Sequence, residues 1–324
     1  MAAEGGNNIL RFIYTGADGE VIFGGATHIF VAEYCTLVRA WVFILNKNIV
    51  EVICHEGVEK IERMAFSECS SLRRVIMPGV KEVEGEAFGD CLALTDVECG
   101  KLEIVREWAF SCCESLRSIN LLSVRTVEEY AFNGCNVLTD VQFGRNLERI
   151  EGEAFNNCPS LERITIPLKN GLFAQDDIFM ACRNLNHVDL VEGAELHEFV
   201  AALHLEEWRN EMNDEIDAIN CVLPDVDSGG WDDDDDPVYG NPGEKASTIG
   251  GWIIVVLRKI NHYKTEHQRM LGEAGSSLQH VLPHDIVMND ILSFLELPPH
   301  TFEVEDPGAD DQEDDSENED DMEE

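Results

Sequence analysis

The amino-acid sequence predicts an α/β solenoid with a parallel β-sheet ladder, followed by an α-helical hairpin and a disordered acidic tail. Three observations predict this organisation. Phenylalanine returns every 22–24 residues between positions 43 and 179, which is a period typical of repeat proteins. Apolar residues follow helical spacing between positions 205 and 270. Residues 303–324 contain 14 acids and no Lys or Arg.

Each repeat places the same residue types at the same spacing. Most phenylalanines are followed by a cysteine after three residues, a leucine after six and a β-branched residue after nine. No single turn of this length can bury these side chains, so each turn must stack on the next. We expect each turn to contain one short strand, a tight bend and a helical or 3₁₀ segment carrying Ala-Phe, with strands about 4.8 Å apart. The predicted core positions are Phe43, Phe66, Phe88, Phe110, Phe132, Phe155, Phe179, Cys69, Cys91, Cys113, Cys135, Cys158 and Cys182.

The repeat pattern AFxxCxxLxxIxIP, complete at residues 154–167, resembles the BspA-type leucine-rich repeat. The resemblance covers roughly residues 27–190 and implies an architecture but no activity. Both ends depart from the pattern, because Asn46 replaces the first cysteine and Phe179 lacks the preceding alanine. Terminal repeats are often atypical because they cap the column. The region LPHDIVMNDILSFLELPPHTFEVE further resembles uncharacterised algal leucine-rich repeat proteins with a C-terminal helical region.

Composition and periodicity divide the chain into six segments. They are an N-terminal cap (1–26), the leucine-rich repeat solenoid (27–194), an amphipathic helix (195–223), an acidic flexible loop (224–244), a helical region (245–297) and a disordered acidic tail (298–324). The two apolar stripes at 205–223 and 253–270 predict an antiparallel helical hairpin. This hairpin could pack on the last turn of the solenoid or present a seam to another protein; a self-buried hairpin is expected. A third, short helix is expected at 283–295.

Cysteines at a regular period suggest a metal site or disulfides as an alternative to a structural role. Metal sites usually pair their ligands two to four residues apart and add a second pair. Here only Cys112 and Cys113 are close, and adjacent cysteines cannot comfortably chelate one ion. The sequence shows no signal peptide, which favours a reducing compartment, the cytoplasm or nucleus. We therefore expect a ladder of buried thiols facing backbone carbonyls, with no cofactor and no metal.

The outward strand positions supply the candidate partner-binding residues. Phe30, Ile53 and Ile76 form an apolar stripe on a face expected to be wet, and such a patch often marks a partner site. We expect the leading segment ILRFIYTGADGEVIF to fold back and cover this stripe as a cap; the alternative is an exposed binding site. The full candidate set is Phe30, Ile53, Ile76, Arg74, Glu98, Asn120, Gln142 and Thr165.

Charge and missing motifs exclude several function classes. With 64 acids against 23 Lys and Arg, the formal charge is −41, so nucleic acids and anionic membranes are poor partners. The longest apolar run is too short to cross a bilayer. The sequence lacks the GxSxG, GxxxxGK, GxGxxG and HExxH motifs, so no enzyme is predicted.

The leading hypothesis is a non-enzymatic scaffold that binds another protein, of unknown identity, through a rigid repeat surface. One alternative is binding or chaperoning of basic proteins such as histones by the acidic tail. A second alternative, a cell-surface adhesin as in some relatives of this repeat, would require export.

Overall fold

A computed structural model describes residues 10–17, 20, 25–191, 193–203, 205–223, 230–231, 237–238, 244–284, 286–291 and 297. The expected tail at 298–324, most of the expected acidic loop and much of the expected N-terminal cap lie outside these described residues.

The first two thirds of the chain are made of short strands. In chain order they are β1 (Arg11–Tyr14), β2 (His28–Val31), β3 (Leu37–Val38), β4 (Glu51–Ile53), β5 (Lys60–Ile61), β6 (Arg74–Ile76), β7 (Glu82–Val83), β8 (Asp96–Glu98), β9 (Ile104–Val105), β10 (Asn120–Leu121), β11 (Thr126–Val127), β12 (Asp140–Phe143), β13 (Arg149–Ile150), β14 (Arg163–Ile166) and β15 (His187–Leu190). A 3₁₀ helix at Asp176–Phe179 lies before β15.

The carboxyl-terminal third is mainly helical. Its elements are α1 (Gly193–Ala202), α2 (Glu206–Val222), the antiparallel strands β16 (Gly230–Trp231) and β17 (Pro237–Val238), α3 (Glu244–Leu278) and a π-helix at Ile286–Ile291.

The strands form a parallel β-solenoid. β3, β5, β7, β9, β11 and β13 build one continuous parallel sheet, the side face. β1, β2, β4, β6 and β8 form a second parallel sheet, and β10, β12, β14 and β15 continue it at the equivalent repeat position; together they are the front face. Matching repeat positions pair in register, as in Val52↔Val75↔Val97. The predicted parallel ladder is confirmed, but a typical turn holds two strands rather than one.

The Ala-Phe segment is not helical in most turns, contrary to expectation. It is a run of turns in which every second backbone N–H donates to the next turn of the coil, as from Phe66 to Ala87 O and from Phe88 to Ala109 O, both at 2.8 Å. The N–H groups between them donate within their own turn, as from Ala65 to Glu62 O at 3.2 Å. Only the 3₁₀ helix that contains Phe179 fits the expected form. The segment does not continue as a regular helix because every second N–H already binds an acceptor on the neighbouring turn.

A column of aromatic rings fills the centre of the coil. Phe43, Phe66, Phe88, Phe110, Phe132, Phe155 and Phe179 are buried. Consecutive ring centroids are 4.9–5.9 Å apart with interplanar angles of 2–21°. Tyr14 extends the column at its amino end through an edge contact of 5.5 Å with Phe43. Such ring pairs add stabilisation beyond the apolar area that they bury.

A second column, made of thiols, runs beside the rings. Each cysteine donates to the carbonyl of the phenylalanine one turn earlier, as from Cys91 Sγ to Phe66 O at 3.2 Å and from Cys135 Sγ to Phe110 O at 3.3 Å. The same bond is made by Cys69, Cys113, Cys158 and Cys182 at 3.0–3.3 Å. Burial raises the pKa of Cys69 to about 12 and raises that of the other five. These groups are therefore protonated donors.

The turns around each phenylalanine use left-handed backbone. Positions two before and two after the ring have positive φ, for example Met64 at 54° and Glu68 at 59°. Left-handed geometry costs roughly 1–2 kcal/mol for a residue with a side chain. The N–H groups of Met64 and Glu68 both donate to the following turn, at 3.0 and 2.8 Å, and these bonds offset the cost.

The front face is interrupted between β8 and β10. In other turns the equivalent carbonyl accepts a backbone N–H, as Glu98 O does from Met77 at 2.8 Å. At the interruption the Cys99 thiol donates to Asn120 O instead, at 3.4 Å. Val97 and Ile119 are correspondingly 7% and 6% exposed. The side chain thus replaces a ladder hydrogen bond, and the expected unbroken sheet is wrong at this turn.

The helices pack on the carboxyl end of the solenoid. α3 contacts the 3₁₀ helix and α2, and buried Lys245 donates to Leu185 O in the last turn. The hairpin is held by a stacked Trp208–Tyr263 pair, with ring centroids 5.0 Å apart. The hairpin therefore packs on the last turn of the solenoid, one of the two arrangements that the sequence left open.

Two helices replace the single one expected at 195–223. Leu196 and Phe199 of α1, and Leu203 just after it, are buried at spacings that do not continue the stripe of α2. The chain breaks after α1, where Arg209 Nη2 donates to Leu203 O at 2.6 Å and satisfies a carbonyl that the helix end leaves open. The described part of the expected third helix is a π-helix.

Replacing Phe110 by alanine should lower the free energy of unfolding by about 3–5 kcal/mol, because it leaves a cavity between two stacked rings. Phe110→Leu should lower the free energy of unfolding by a smaller amount. Leu122→Ala, at a side chain that is 51% exposed, should change it by less than about 0.5 kcal/mol. Urea denaturation measures all three. Equal losses for Phe110→Ala and Leu122→Ala would contradict a continuous buried column.

The thiol column should make the protein less stable at alkaline pH. Because folding raises the pKa of Cys135, its contribution is complete below the ordinary thiol value near 8.5 and is lost as pH rises above it. The stability difference between wild type and Cys135→Ala should therefore shrink between about pH 8 and 11, by at most about 1.4 kcal/mol per pH unit.

Urea denaturation at each pH measures this difference, with metal analysis of both proteins alongside. A difference independent of pH would contradict the protonated-donor role. Stoichiometric zinc in the wild type alone would restore the metal interpretation.

Candidate protein-interaction surface

The front face displays two columns of outward side chains in register. One column is Arg11, His28, Glu51, Arg74 and Asp96, and the other is Ile13, Phe30, Ile53, Ile76 and Glu98. Beyond the interruption the second column continues with Asn120, Gln142, Thr165 and Asp189. The fold thus places all eight candidate partner-binding residues on one face.

Four apolar residues, Ile13, Phe30, Ile53 and Ile76, form a continuous line across β1, β2, β4 and β6, here called the apolar stripe. Ile13 is 63% exposed and the other three are half-buried. The Arg11 guanidinium lies 5.7 Å from the centroid of the Phe30 ring, within the range of a cation–π contact. The stripe therefore offers apolar area with a cation at one end.

The leading segment does not cover the apolar stripe as far as the structure describes it. β1 pairs with β2 in parallel, so Arg11–Tyr14 adds one more strand to the front face. It therefore lengthens the stripe by Ile13 and closes the end of the core with Tyr14, which is buried. Over Arg11–Tyr14 the expected fold-back does not occur, because the Tyr14 ring fills the next position of the aromatic column.

Arg74 is the centre of a charged cluster beside the stripe. Its guanidinium contacts Glu51 at 3.5 Å and Asp96 at 3.1 Å, and it donates to Glu98. The hydrogen bond to Glu98 is the largest cause of its raised pKa. Three acids surround this one base, so the cluster keeps a negative balance.

The remaining candidate residues are polar and lie farther along the coil. Asn120 Oδ1 accepts a hydrogen bond from the Leu122 backbone N–H at 3.0 Å, which places this side chain in a turn. Gln142 is exposed and Thr165 is half-buried. They lie across the interruption from the apolar stripe, so they form a separate polar extension of the face.

Sequence reasoning missed a second group of aromatic side chains. Trp41, Trp108 and Tyr130 all stand two residues before a core phenylalanine and point away from the core. The rings of Trp108 and Tyr130 stack with centroids 4.1 Å apart. The signal was present in the sequence, because the residue before Ala-Phe is aromatic in two consecutive repeats, at Trp108 and Tyr130.

No cluster of three or more His, Cys, Asp or Glu side chains suited to a metal ion exists among the described residues. Within the same part of the chain, no helix combines the length and the apolarity that a membrane span requires.

A match to a family model shows which repeat family the chain belongs to. The model of the BspA-type leucine-rich repeat region matches residues 36–124 and 104–200 in six copies. These matches together span just over half of the 324 residues. The chain belongs to the BspA-type leucine-rich repeat family. The likeness to algal proteins stays a prediction, and no curated protein matches the sequence significantly.

Solved structures of similar proteins come from bacteria. A leucine-rich repeat protein from Bacteroides ovatus is 29% identical with a TM-score of 0.42, over 44% of this chain and 38% of that one. The T. pallidum leucine-rich repeat protein is 22% identical with a TM-score of 0.37, over 50% and 68%. A leucine-rich cell surface protein from Faecalibacterium prausnitzii is 20% identical with a TM-score of 0.34, over 51% and 60%. This BspA-type chain thus spans about two fifths of the length of the first of these proteins.

Proposed function

We propose that this BspA-type protein is a non-enzymatic scaffold that binds another protein through the apolar stripe of its front face. Leucine-rich repeat proteins in general are protein-interaction scaffolds. The observation that carries the proposal is the register of four apolar side chains on an outward face, with the described residues leaving Ile13 63% exposed. Contiguous exposed apolar area of this kind marks interaction surfaces.

The stripe suits binding because it is rigid before a partner arrives. Its strands are bonded into a sheet on both sides of β2, β4 and β6, so little backbone entropy remains to be lost on association. Adjacent side chains stand about 4.8 Å apart, so the four span roughly 14 Å. That length fits about four residues of an extended peptide or two to three turns of a helix.

Charge around the stripe defines the chemistry of the partner. Glu51, Asp96 and Glu98 give its carboxyl-terminal end a negative balance around Arg74. A partner segment with apolar anchors flanked by Lys or Arg would complement both the apolar stripe and the acidic residues around Arg74. Electrostatic complementarity of this kind contributes mainly to specificity and association rate.

The variant Ile53→Asp/Ile76→Asp should lose its partner, because binding would bury two carboxylates against the apolar side chains of the partner. Affinity capture from native cell extract, quantified by mass spectrometry, should show at least about tenfold less of the specific partner, which corresponds to 1.4 kcal/mol.

The matched control is Leu45→Asp/Leu92→Asp, which makes the same change in two exposed leucines of the turns, 52% and 42% accessible. It should capture the partner as wild type does. Equal capture by all three proteins would contradict the stripe as the binding site, provided that circular dichroism shows each to be folded.

A second candidate function rests on charge alone. Residues 303–324 hold 14 acids and no Lys or Arg, a composition that attracts basic proteins such as histones. This activity, like an adhesin function, stays a prediction.

For location we propose the cytoplasm or nucleus, supported by the described cysteines, which form no disulfide.

A full-length variant with all 14 acids of residues 303–324 changed to Asn or Gln should bind core histones at least about tenfold more weakly, with wild-type binding falling steeply between low and physiological salt. Fluorescence anisotropy with labelled histones measures both effects. The Ile53→Asp/Ile76→Asp variant serves as the control and should bind histones like wild type. Histone binding that survives neutralisation of the segment would exclude this second function.

A further inference from the structure

A basic groove runs along the bend between the front and side faces. It has a volume of about 610 Å³ and is lined by Lys81, Lys101, Arg125, Arg145 and Lys169, all exposed. Glu103 and Glu148 also line it. Five bases to two acids is the reverse of the whole chain, in which 64 acids face 23 bases. The groove is therefore a local positive surface on a strongly negative protein.

The repeat fixes the spacing of these charges. The backbone N–H of Glu103 donates to Lys81 O, that of Arg125 to Glu103 O and that of Glu148 to Arg125 O, each at 2.8 Å. These positions therefore rise by one turn of the coil at a time, about 4.8 Å. Lys169 follows one turn after Glu148, so the groove extends over four steps, roughly 19 Å.

Some of the positive charge is already neutralised within the groove. Lys81 pairs with Glu59 at 3.0 Å, and Arg125 pairs with Glu148 at 2.5 Å. Lys101 and Lys169 form no ion pair with any described residue. Their positive charges remain available to an anionic segment.

We propose that the acidic segment 303–324 of the same chain binds along this basic groove. The segment contains the run DDQEDD at residues 310–315, with five carboxylates in six residues. Six extended residues span about 20 Å, which matches the length of the groove. The occupant is therefore complementary in charge and in length.

The chain that follows Leu297 is long enough for the acidic segment to reach the groove. Leu297 packs against the core, and the π-helix before it contacts α3, which lies on the last turns of the solenoid. Lys169 stands at that same end of the groove, just before the 3₁₀ helix. The 12 residues from 298 to 309, which connect Leu297 to the run DDQEDD, can extend up to about 40 Å, about twice the length of the groove.

Binding within one chain favours this occupant over separate acidic proteins. A segment tethered by a short linker has an effective concentration in the millimolar range. In that position the acids would be occupied, so a basic partner of the segment would have to compete with the groove. The groove therefore limits access to the acidic segment.

Carbodiimide cross-linking of the full-length chain at low concentration tests the proposal, because the reagent joins a lysine amine directly to a neighbouring carboxylate. Peptide mapping of the monomer should show Lys101 and Lys169 joined to residues 303–324. The yield should fall at least about fivefold in about 0.5 M NaCl, where the Debye length is only a few ångströms.

Arginine variants separate charge from reactivity, because they leave the reporter lysines in place. Arg125→Gln/Arg145→Gln should lower the yield at Lys101 and Lys169 at least about threefold, since the groove loses two of its five bases. The matched control Arg73→Gln/Arg117→Gln removes two exposed arginines that do not line the groove and should leave the yield unchanged.

Three outcomes would overturn the proposal. Cross-links spread evenly over Lys47, Lys101, Lys169 and Lys264 would show that the segment has no preferred site. Groove lysines joined to residues 232–236 would identify a different acidic occupant. Links found only between isotope-labelled and unlabelled copies would show that the groove binds a second chain.

Discussion

The structure depends on the stacking of each turn in register on the next. The phenylalanine rings contact one another only across turns, and every second N–H group of the Ala-Phe segment finds its acceptor on the following turn. The thiols donate to a carbonyl one turn earlier. A turn taken alone would therefore lose its apolar contacts and its hydrogen bonds together, which makes the turns mutually dependent.

The same stacking turns single outward residues into surfaces. A residue type placed at one position in consecutive turns becomes a line with about 4.8 Å per step, as with the apolar Ile53 and Ile76. Inward positions must keep the size and apolarity of the column, but outward positions are free to vary. The proposed binding of this BspA-type protein therefore depends on the outward positions, and its stability depends on the inward ones.

Sequence patterns predicted the aromatic and thiol columns because inward positions carry large, periodic and chemically narrow residues. They did not predict the left-handed turns at Met64 and Glu68, since these conformations are stabilised by hydrogen bonds to another turn rather than by local propensity. The strand at Arg11–Tyr14 was missed because it lacks the Ala-Phe and cysteine signature. Only its pairing with β2 shows that Ile13 belongs to the front face.

The sequence by itself determined the period of the coil, the identity of its core and the charge imbalance between segments, because these follow from composition and spacing alone. Tertiary structure decided which outward residues share a face, where the front sheet is interrupted at Cys99, and where the helices pack. It also brought five scattered bases into one groove. The physical reason is that these features come from contacts between turns, whose partners lie at least twenty residues apart in the chain and leave no local pattern.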